Sequence, residues 1–204
     1  MANYDKIAIF YNTPFIQFYY NRVHKKCLLF LKRFIKNNFK ILDVACASGI
    51  FLSKLRKADQ TLDLSGMDES SKMIKLASRK FPKEKFLVGQ AEKLPFPNGS
   101  LDMVTVLDAF YYFLGKEQFI FECSRTIKEG GYLFLTVPVY DSLLQQSLIN
   151  LAKAVSKLAL FYNTERNSKH WSFTNIKNVV EKSKFKLVRS EISFGQRIAI
   201  FQKK

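Results

Sequence analysis

From residue 40 onward the chain alternates short, nearly continuous apolar runs with stretches in which apolar positions return every three or four residues. The runs 40–44, 64–67, 86–88, 101–107 and 132–137 have strand length, and Pro138 stops the last. The stretches between them read as helices. One covers 51–57. A second follows Asp68, with Ser70 or Ser71 as its cap and Met73, Ile74 and Ala77 on its inner face. A third covers 116–128 and is expected to end at Gly130-Gly131. Strands that are apolar on both faces and separated by helices belong to a parallel sheet covered on each side, an α/β fold. The tail breaks this rhythm. Segments 185–194 and 197–202 are strands separated only by a tight turn at Gly195, with no room for a crossover helix. They must pair as an antiparallel hairpin.

Two amphipathic helices flank this core. In 16–35, Ile16, Tyr19, Val23, Cys27, Phe30 or Leu31 and Phe34 share a face, and Lys25, Lys26, Lys32, Arg33 and Lys36 fill much of the rest. In 143–161, Leu144, Leu148, Leu151, Val155 and Leu158 do the same. Such helices pack on the domain, cover a binding site, or meet a membrane surface.

The 204 residues, 48% of them apolar, suit one domain with a sizeable core and exclude disorder. No run approaches the ~18 to 20 apolar residues of a spanning helix, and the first residues carry an acid, Asp5, without a secretory apolar run. Cys27, Cys46 and Cys123 have neither CxxC spacing nor a companion His cluster. No metal and no disulfide framework is expected, and a reducing cytoplasm is the expected compartment. The net charge of +16 adds more. Residues 1–40 carry eight bases and one acid, 140–204 carry twelve and four, and 41–139 carry thirteen and twelve. Basic flanks attract nucleic acid, anionic lipid or an anionic small substrate, although a coding sequence rich in A and T yields the same bias.

The chemistry lies at the strand ends. Leu42-Asp43-Val44-Ala45-Cys46-Ala47-Ser48-Gly49 carries a strand into an acid, a loop of small residues and a helix. Open α/β sheets bind ligands at such strand tips, and small residues let backbone approach a ligand closely. The loop lacks the G-x-G-x-x-G of dinucleotide sites and the G-x-x-x-x-G-K-[ST] of phosphate loops. It resembles instead the first motif, D-x-G-x-G-x-G, of the class I S-adenosylmethionine-dependent methyltransferases. Asp43 and Gly49 match, and Ala45 and Ala47 stand at usual glycine positions. If those positions need a positive φ, each alanine costs about 1 kcal/mol or more.

Further motifs extend the resemblance. Gly66-Met67-Asp68-Glu69-Ser70 places Asp68 where the family's acid accepts both ribose hydroxyls, with Met73 and Ile74 beside the adenine. The run Gly89-Gln90-Ala91-Glu92-Lys93-Leu94-Pro95-Phe96-Pro97-Asn98-Gly99-Ser100-Leu101-Asp102-Met103-Val104 closely resembles G-D-A-x-x-L-P-F-x-D-x-S-F-D-x-V. Gln90 replaces the usual acid at the adenine amino group and can still accept a hydrogen bond there. In Val106-Leu107-Asp108-Ala109-Phe110-Tyr111-Tyr112-Phe113, Tyr111 and Tyr112 stand where many relatives carry a His pair, and Asp108 would lie near the sulfonium. The opening Tyr4-Asp5-Lys6-Ile7-Ala8-Ile9-Phe10-Tyr11 resembles the Y-D-x-x-A-x-x-Y of small-molecule members, including quinone-biosynthesis C-methyltransferases, in which the aromatic at Tyr11 closes over the methionine part. His170-Trp171-Ser172-Phe173-Thr174 resembles their late H-x-x-F-T segment.

The resemblance implies a Rossmann-like doubly wound sheet of seven strands, mostly parallel, with the antiparallel hairpin at its end. It implies 1–39 as a helical cover, 40–139 as the cofactor core, 140–172 as a helical substrate cover and 173–204 as the closing helix and hairpin. S-adenosyl-L-methionine is the implied cofactor and S-adenosyl-L-homocysteine the product. Tyr11, Asp43, Ala45, Cys46, Ala47, Gly49, Asp68, Glu69, Met73, Gln90, Ala91, Glu92, Leu107, Asp108 and Tyr112 are the implied binding residues. The cofactor brings the electrophile, so the protein's task is positioning, and a base is needed only if the acceptor keeps a proton at the transition state. Asp108, Tyr111, Tyr112, Tyr140 and His170 are the candidates, with His24 a further imidazole. The expected acceptor is a small molecule, anionic or lipid-like, with contact to an anionic membrane surface as a companion expectation. Two alternatives remain. One is an RNA methyltransferase using the basic flanks, although no N-P-P-Y-type tetrad follows the fourth strand. The other is a scaffold protein that has lost catalysis.

Overall fold

The computed structural model of the chain describes the backbone of residues 14–139, 172–193 and 195–204, with side chains from residue 20. The opening motif with Tyr11, the helix expected over 143–161, and Tyr140 and His170 lie outside the described residues. In chain order the elements are α1 (Pro14–Leu31), β1 (Lys40–Val44), α2 (Ile50–Ala58), β2 (Asp63–Asp68), α3 (Ser71–Lys80), β3 (Lys85–Val88), β4 (Leu101–Leu107), a 3-10 turn (Phe110–Tyr112), α4 (Lys116–Thr126), β5 (Ile127–Pro138), α5 (Phe173–Glu181), β6 (Phe185–Ser193) and β7 (Gln196–Lys203).

The strands form one seven-stranded sheet in the order β3-β2-β1-β4-β5-β7-β6. The five strands from β1 to β5 pair in parallel, and β7 slots antiparallel between β5 and β6. The expected hairpin and the mostly parallel sheet are both present. Strand order reverses between β1 and β4, the switch point where open α/β sheets bind ligands.

Successive strand residues point to opposite faces. Leu42, Val44, Val104, Val106, Leu133 and Leu135 pack beneath α4 and α5 with Phe119, Ile120, Cys123, Ile176 and Val180. Ile41, Leu64, Met103, Phe134, Ile198 and Ile200 pack beneath α1, α2 and α3 with Val23, Cys27, Phe30, Leu31, Leu52, Leu55 and Ile74. Each fully buried side chain of this kind contributes about 1.5–3 kcal/mol. Two aromatic pairs seat α1 on its face: the Phe30 and Phe134 ring centroids lie 5.9 Å apart, and those of Phe34 and Tyr132 lie 5.6 Å apart.

One boundary departs from expectation. The third helix ends at Thr126, and β5 begins at Ile127, so Gly130 and Gly131 lie within a strand rather than at a helix end. The β4–β5 register shifts between Leu101 and Met103 to absorb the extra residues. A Cβ at Gly131 would come within 2.8 Å of the Asp102 carbonyl oxygen, so the glycine serves backbone approach at an irregular pairing.

Candidate functional site

The tips of β1, β2 and β4 frame the cleft. After Val44 the loop turns through two left-handed alanines, Ala45 at φ 58° and Ala47 at φ 47°, before Gly49 at φ 73° starts α2. Alanine in this region costs about 1–2 kcal/mol. Gly49 is required twice over, because a Cβ there would also sit 2.8 Å from Cζ of Phe86. The Cys46 N–H donates to the Met67 carbonyl at 3.0 Å, and the Ala47 N–H donates to Oδ2 of Asp68 at 2.9 Å. Oδ1 of Asp68 accepts the Ser70 N–H at 2.9 Å. The Asp68 carboxylate thus ties the β1 loop to the β2 tip. Each of its oxygens has a second lone pair to offer. Burial raises its pKa, and the two N–H donors oppose the rise. Ser70 is the α3 cap: its hydroxyl accepts the Met73 N–H at 3.2 Å.

A cavity of about 290 Å³ opens beside this tip, near the low end of ligand pockets. Val44, Ala45, Asp68 and Glu69 form one wall, Gly89, Gln90, Ala91 and Glu92 the next, and Ala109, Tyr112, Phe113, Leu114 and Gly115 close it. Two carboxylates hold its outer loops. Oε1 of Glu92 accepts the Gly115 N–H at 2.9 Å. Oε2 of Glu122 accepts the Leu94 N–H at 2.9 Å, while Arg125 bridges Glu122 to the Leu94 and Phe96 carbonyls.

A second, much tighter cavity of about 30 Å³ lies across the loop, walled by Tyr20, His24, Asp43, Ala45, Cys46, Ala47, Ser48, Ile50, Phe51 and Leu107. Ala45 belongs to both cavities, so they lie on the two sides of one loop residue. Asp43, 3% exposed, accepts the Thr105 hydroxyl at 2.7 Å. Burial pushes its carboxyl up to about 7; the Thr105 bond opposes this and the Asp68 charge adds to it. His24 is driven down to about 3 by burial and by the neighbouring Lys54 charge, so its imidazole is neutral at physiological pH and a feeble base. Lys54 donates to Oδ1 of Asn21 at 2.6 Å.

At the β4 tip Asp108 adopts φ 54°. Thr136 grips it twice, accepting its N–H at 2.9 Å and donating to its Oδ1 at 2.9 Å. Burial lifts the Asp108 carboxyl to about 6 against that hydroxyl bond. The Tyr111 and Tyr112 ring centroids lie 4.2 Å apart with the planes tilted by 48°, and burial carries the Tyr111 phenol well above the usual range.

Of the residues singled out in the sequence, Ala45, Asp68, Glu69, Gln90, Ala91, Glu92 and Tyr112 wall the larger cavity, and Asp43, Cys46, Ala47 and Leu107 the smaller. Gly49, Met73, Asp108 and Tyr111 line neither. Met73 is 4% exposed in the first turn of α3, on the inner face its spacing predicted. Sequence reasoning missed Tyr20, Thr105, Thr136, Glu122 and the 113–115 turn. The threonines carry a signal in hindsight, since each interrupts an apolar stretch, Met103–Leu107 in β4 and Leu133–Val137 in β5.

This fold, with its cleft at the reversal of strand order, is that of the S-adenosylmethionine-dependent methyltransferases. The solved structure of one from Methanosarcina mazei superposes with a TM-score of 0.67 at 18% identity, covering 85% of this chain and 96% of that one. Residues 42–135, from β1 into β5, match the family model of the methyltransferase domain. A demethylmenaquinone methyltransferase of Thermotoga maritima is 34% identical over 99 residues, which cover 48% of this chain and 43% of the relative. A ubiquinone/menaquinone biosynthesis C-methyltransferase, UbiE, of Campylobacter jejuni is 29% identical over 114 residues, covering 53% and 48%. The chain thus aligns with about half the length of these curated relatives. The resemblance read from the strand-tip motifs holds, and the cofactor of that class is S-adenosyl-L-methionine.

Proposed function

We propose that the chain binds S-adenosyl-L-methionine across the two cavities and transfers its methyl group to a small, lipid-like acceptor by in-line displacement. The observation that carries this reading is the Asp68 carboxylate. It anchors the loop through one lone pair on each oxygen and faces the larger cavity with capacity for two more donors, which a pair of ribose hydroxyls would supply. Gln90 and the Ala91 amide then meet the adenine, and Tyr112, Phe113 and Leu114 exclude water from the far side. The methionyl end falls at the tight cavity, whose Tyr20 wall must shift to admit it. When bound, the cofactor supplies the electrophilic methyl and its sulfur keeps the electron pair of the broken bond. The carboxylates of Asp43 and Asp108 favour a cation at this end of the cleft. Of the candidate bases we assign Asp108, which lines neither cavity but directly follows Leu107 in the wall of the tight one, to hold an acceptor proton at Oδ2, because Thr136 fixes Oδ1 and a pKa of about 6 suits proton exchange near neutrality. The flanks 1–39 and 140–172 are assigned to the acceptor side.

A lipid-like acceptor is favoured over RNA by the two curated relatives, one named for demethylmenaquinone and the other for ubiquinone/menaquinone biosynthesis. Calorimetric titration with S-adenosyl-L-methionine and S-adenosyl-L-homocysteine is the test. Saturable binding of both, followed by methyl transfer to a demethylated quinol, is expected. No heat at about 1 mM of either ligand, an affinity below about −4 kcal/mol in strength, overturns the reading.

A further inference from the structure

The two helical layers differ in charge in a way the sequence totals hide. The helices α1, α2 and α3, which cover one face of the sheet, carry ten basic residues and no acid. The helices α4 and α5 on the opposite face carry three basic and three acidic residues. On the first layer Arg56 is held by Glu84. Lys25, Lys26, Lys57, Lys75, Arg79 and Lys80 are exposed and form no ion pair among the described residues. Lys32, Arg33 and Lys36 extend the same character past the end of α1. Within this field Leu29 stands 50% exposed, one turn from Lys25 and Lys26.

We propose that the α1–α2–α3 layer docks on the surface of an anionic lipid bilayer. Its occupant must be a broad polyanion, because Lys25, Lys26, Lys57, Lys75, Arg79 and Lys80, spread over three successive helices, repel one another and form no ion pair among the described residues. Three observations favour lipid over RNA. Lysine outnumbers arginine seven to three, which suits point-charge attraction to headgroups better than bidentate phosphate contacts. The exposed apolar side chain is an aliphatic leucine able to enter the interface. No exposed aromatic of this layer is present among the described residues to stack on a base. The inner side of α1 carries Tyr20 and His24 in the tight cavity, so one helix would link the docked surface to the cleft. Docking does not require that methyl transfer be the reaction.

Co-sedimentation of the full chain with vesicles tests this, using equal parts phosphatidylglycerol and phosphatidylcholine against phosphatidylcholine alone at about 0.1 M salt. Binding only to the anionic vesicles is expected. The triple variant Lys25→Ser, Lys75→Ser, Lys80→Ser should bind about 100-fold more weakly, near fivefold per lysine. Leu29→Ser should weaken binding about two- to fivefold. A matched triple variant away from the layer, Lys177→Ser, Lys182→Ser, Lys186→Ser, should bind as the parent does. Cofactor affinity should be unchanged in both triple variants, which shows that they are folded. Three outcomes overturn the proposal: no sedimentation with anionic vesicles, equal losses in the two triple variants, or tighter binding of polyuridylate than of vesicles by the same lysines.

Discussion

The two ends of the cleft are built on opposite terms. The larger cavity is walled by small and apolar groups together with Gln90 and the carboxylates of Asp68, Glu69 and Glu92, and Asp68 is satisfied by two backbone amides. The smaller cavity gathers the discomforts of the molecule: two alanines in left-handed backbone, a buried carboxyl displaced to about 7 and an imidazole displaced to about 3. Fit at the roomy end depends on shape and can be satisfied before any ligand arrives. Strain and suppressed charge at the tight end are sustained by the surrounding sheet, and a cation arriving there would relieve the unfavourable burial of carboxylate. One end is a ready receptacle, and the other holds free energy that binding can release.

The sharpest way to break this contrast is Asp68→Ala, which removes the carboxylate that walls the larger cavity and holds the Ala47 amide of the tight one. Two charge-assisted hydrogen bonds to ligand would vanish, each worth about 1.5–3 kcal/mol, and the Ala47 and Ser70 amides would lose their acceptor. Titration should show cofactor affinity reduced by about 100-fold or more. Parent-like affinity would mean that the larger cavity holds its ligand without the carboxylate.

Much of this was legible before any coordinates. The core strands declared themselves because a parallel sheet buries both faces, leaving runs such as Leu101–Leu107 nearly unbroken. Asp43, Asp68 and the Gly89–Val104 run stood out by residue type at strand ends. What could not be read was pairing across the chain. The register shift that draws Gly130 and Gly131 into β5 depends on β4, thirty residues earlier, and local glycine signals point to a helix end instead. The Glu122–Arg125 clamp on Leu94 and Phe96 joins a helix to a loop about thirty residues before it. Charge segregation was hidden for the same reason: the middle of the chain is nearly neutral in total, and only the fold assigns its bases to one layer. Met73, Ile74 and Ala77, placed by their spacing on the inner face of α3, are buried there, with the cap at Ser70 fixing the start of the helix.

The tight end makes its own prediction in pH. Asp43 goes from an ordinary value of 3.8 in the unfolded chain to about 7 when folded, so the native state holds its proton more firmly. Its contribution to stability is therefore full below about pH 4, declines as pH rises, and is lost once pH passes about 7. Asp108 acts in the same direction, up to about 6. Urea denaturation of the parent and Asp43→Asn isolates the effect from the overall positive charge. The variant keeps a carbonyl for the Thr105 hydroxyl, and it should be about 4 kcal/mol more stable than the parent at pH 8 and nearly equal at pH 4. A difference that does not change with pH would mean that Asp43 ionises without penalty.

The smallest expected effect tests the strain itself. Ala45 and Ala47 occupy left-handed backbone that glycine enters at no steric cost, so Ala47→Gly should relieve about 1–2 kcal/mol in the folded state. Glycine also enlarges the unfolded ensemble, which takes back about 0.4–1 kcal/mol. A net gain near 0.5–1 kcal/mol in the urea midpoint is expected, with Ala45→Gly similar. The two substitutions differ in what else they change. Ala45 walls both cavities, so its methyl group is removed from the junction itself, whereas Ala47 borders only the tight one. Cofactor affinity should therefore rise more for Ala45→Gly than for Ala47→Gly at equal stability. If both variants lose stability, the alanines are not strained, and the tight end differs from the roomy one in charge alone.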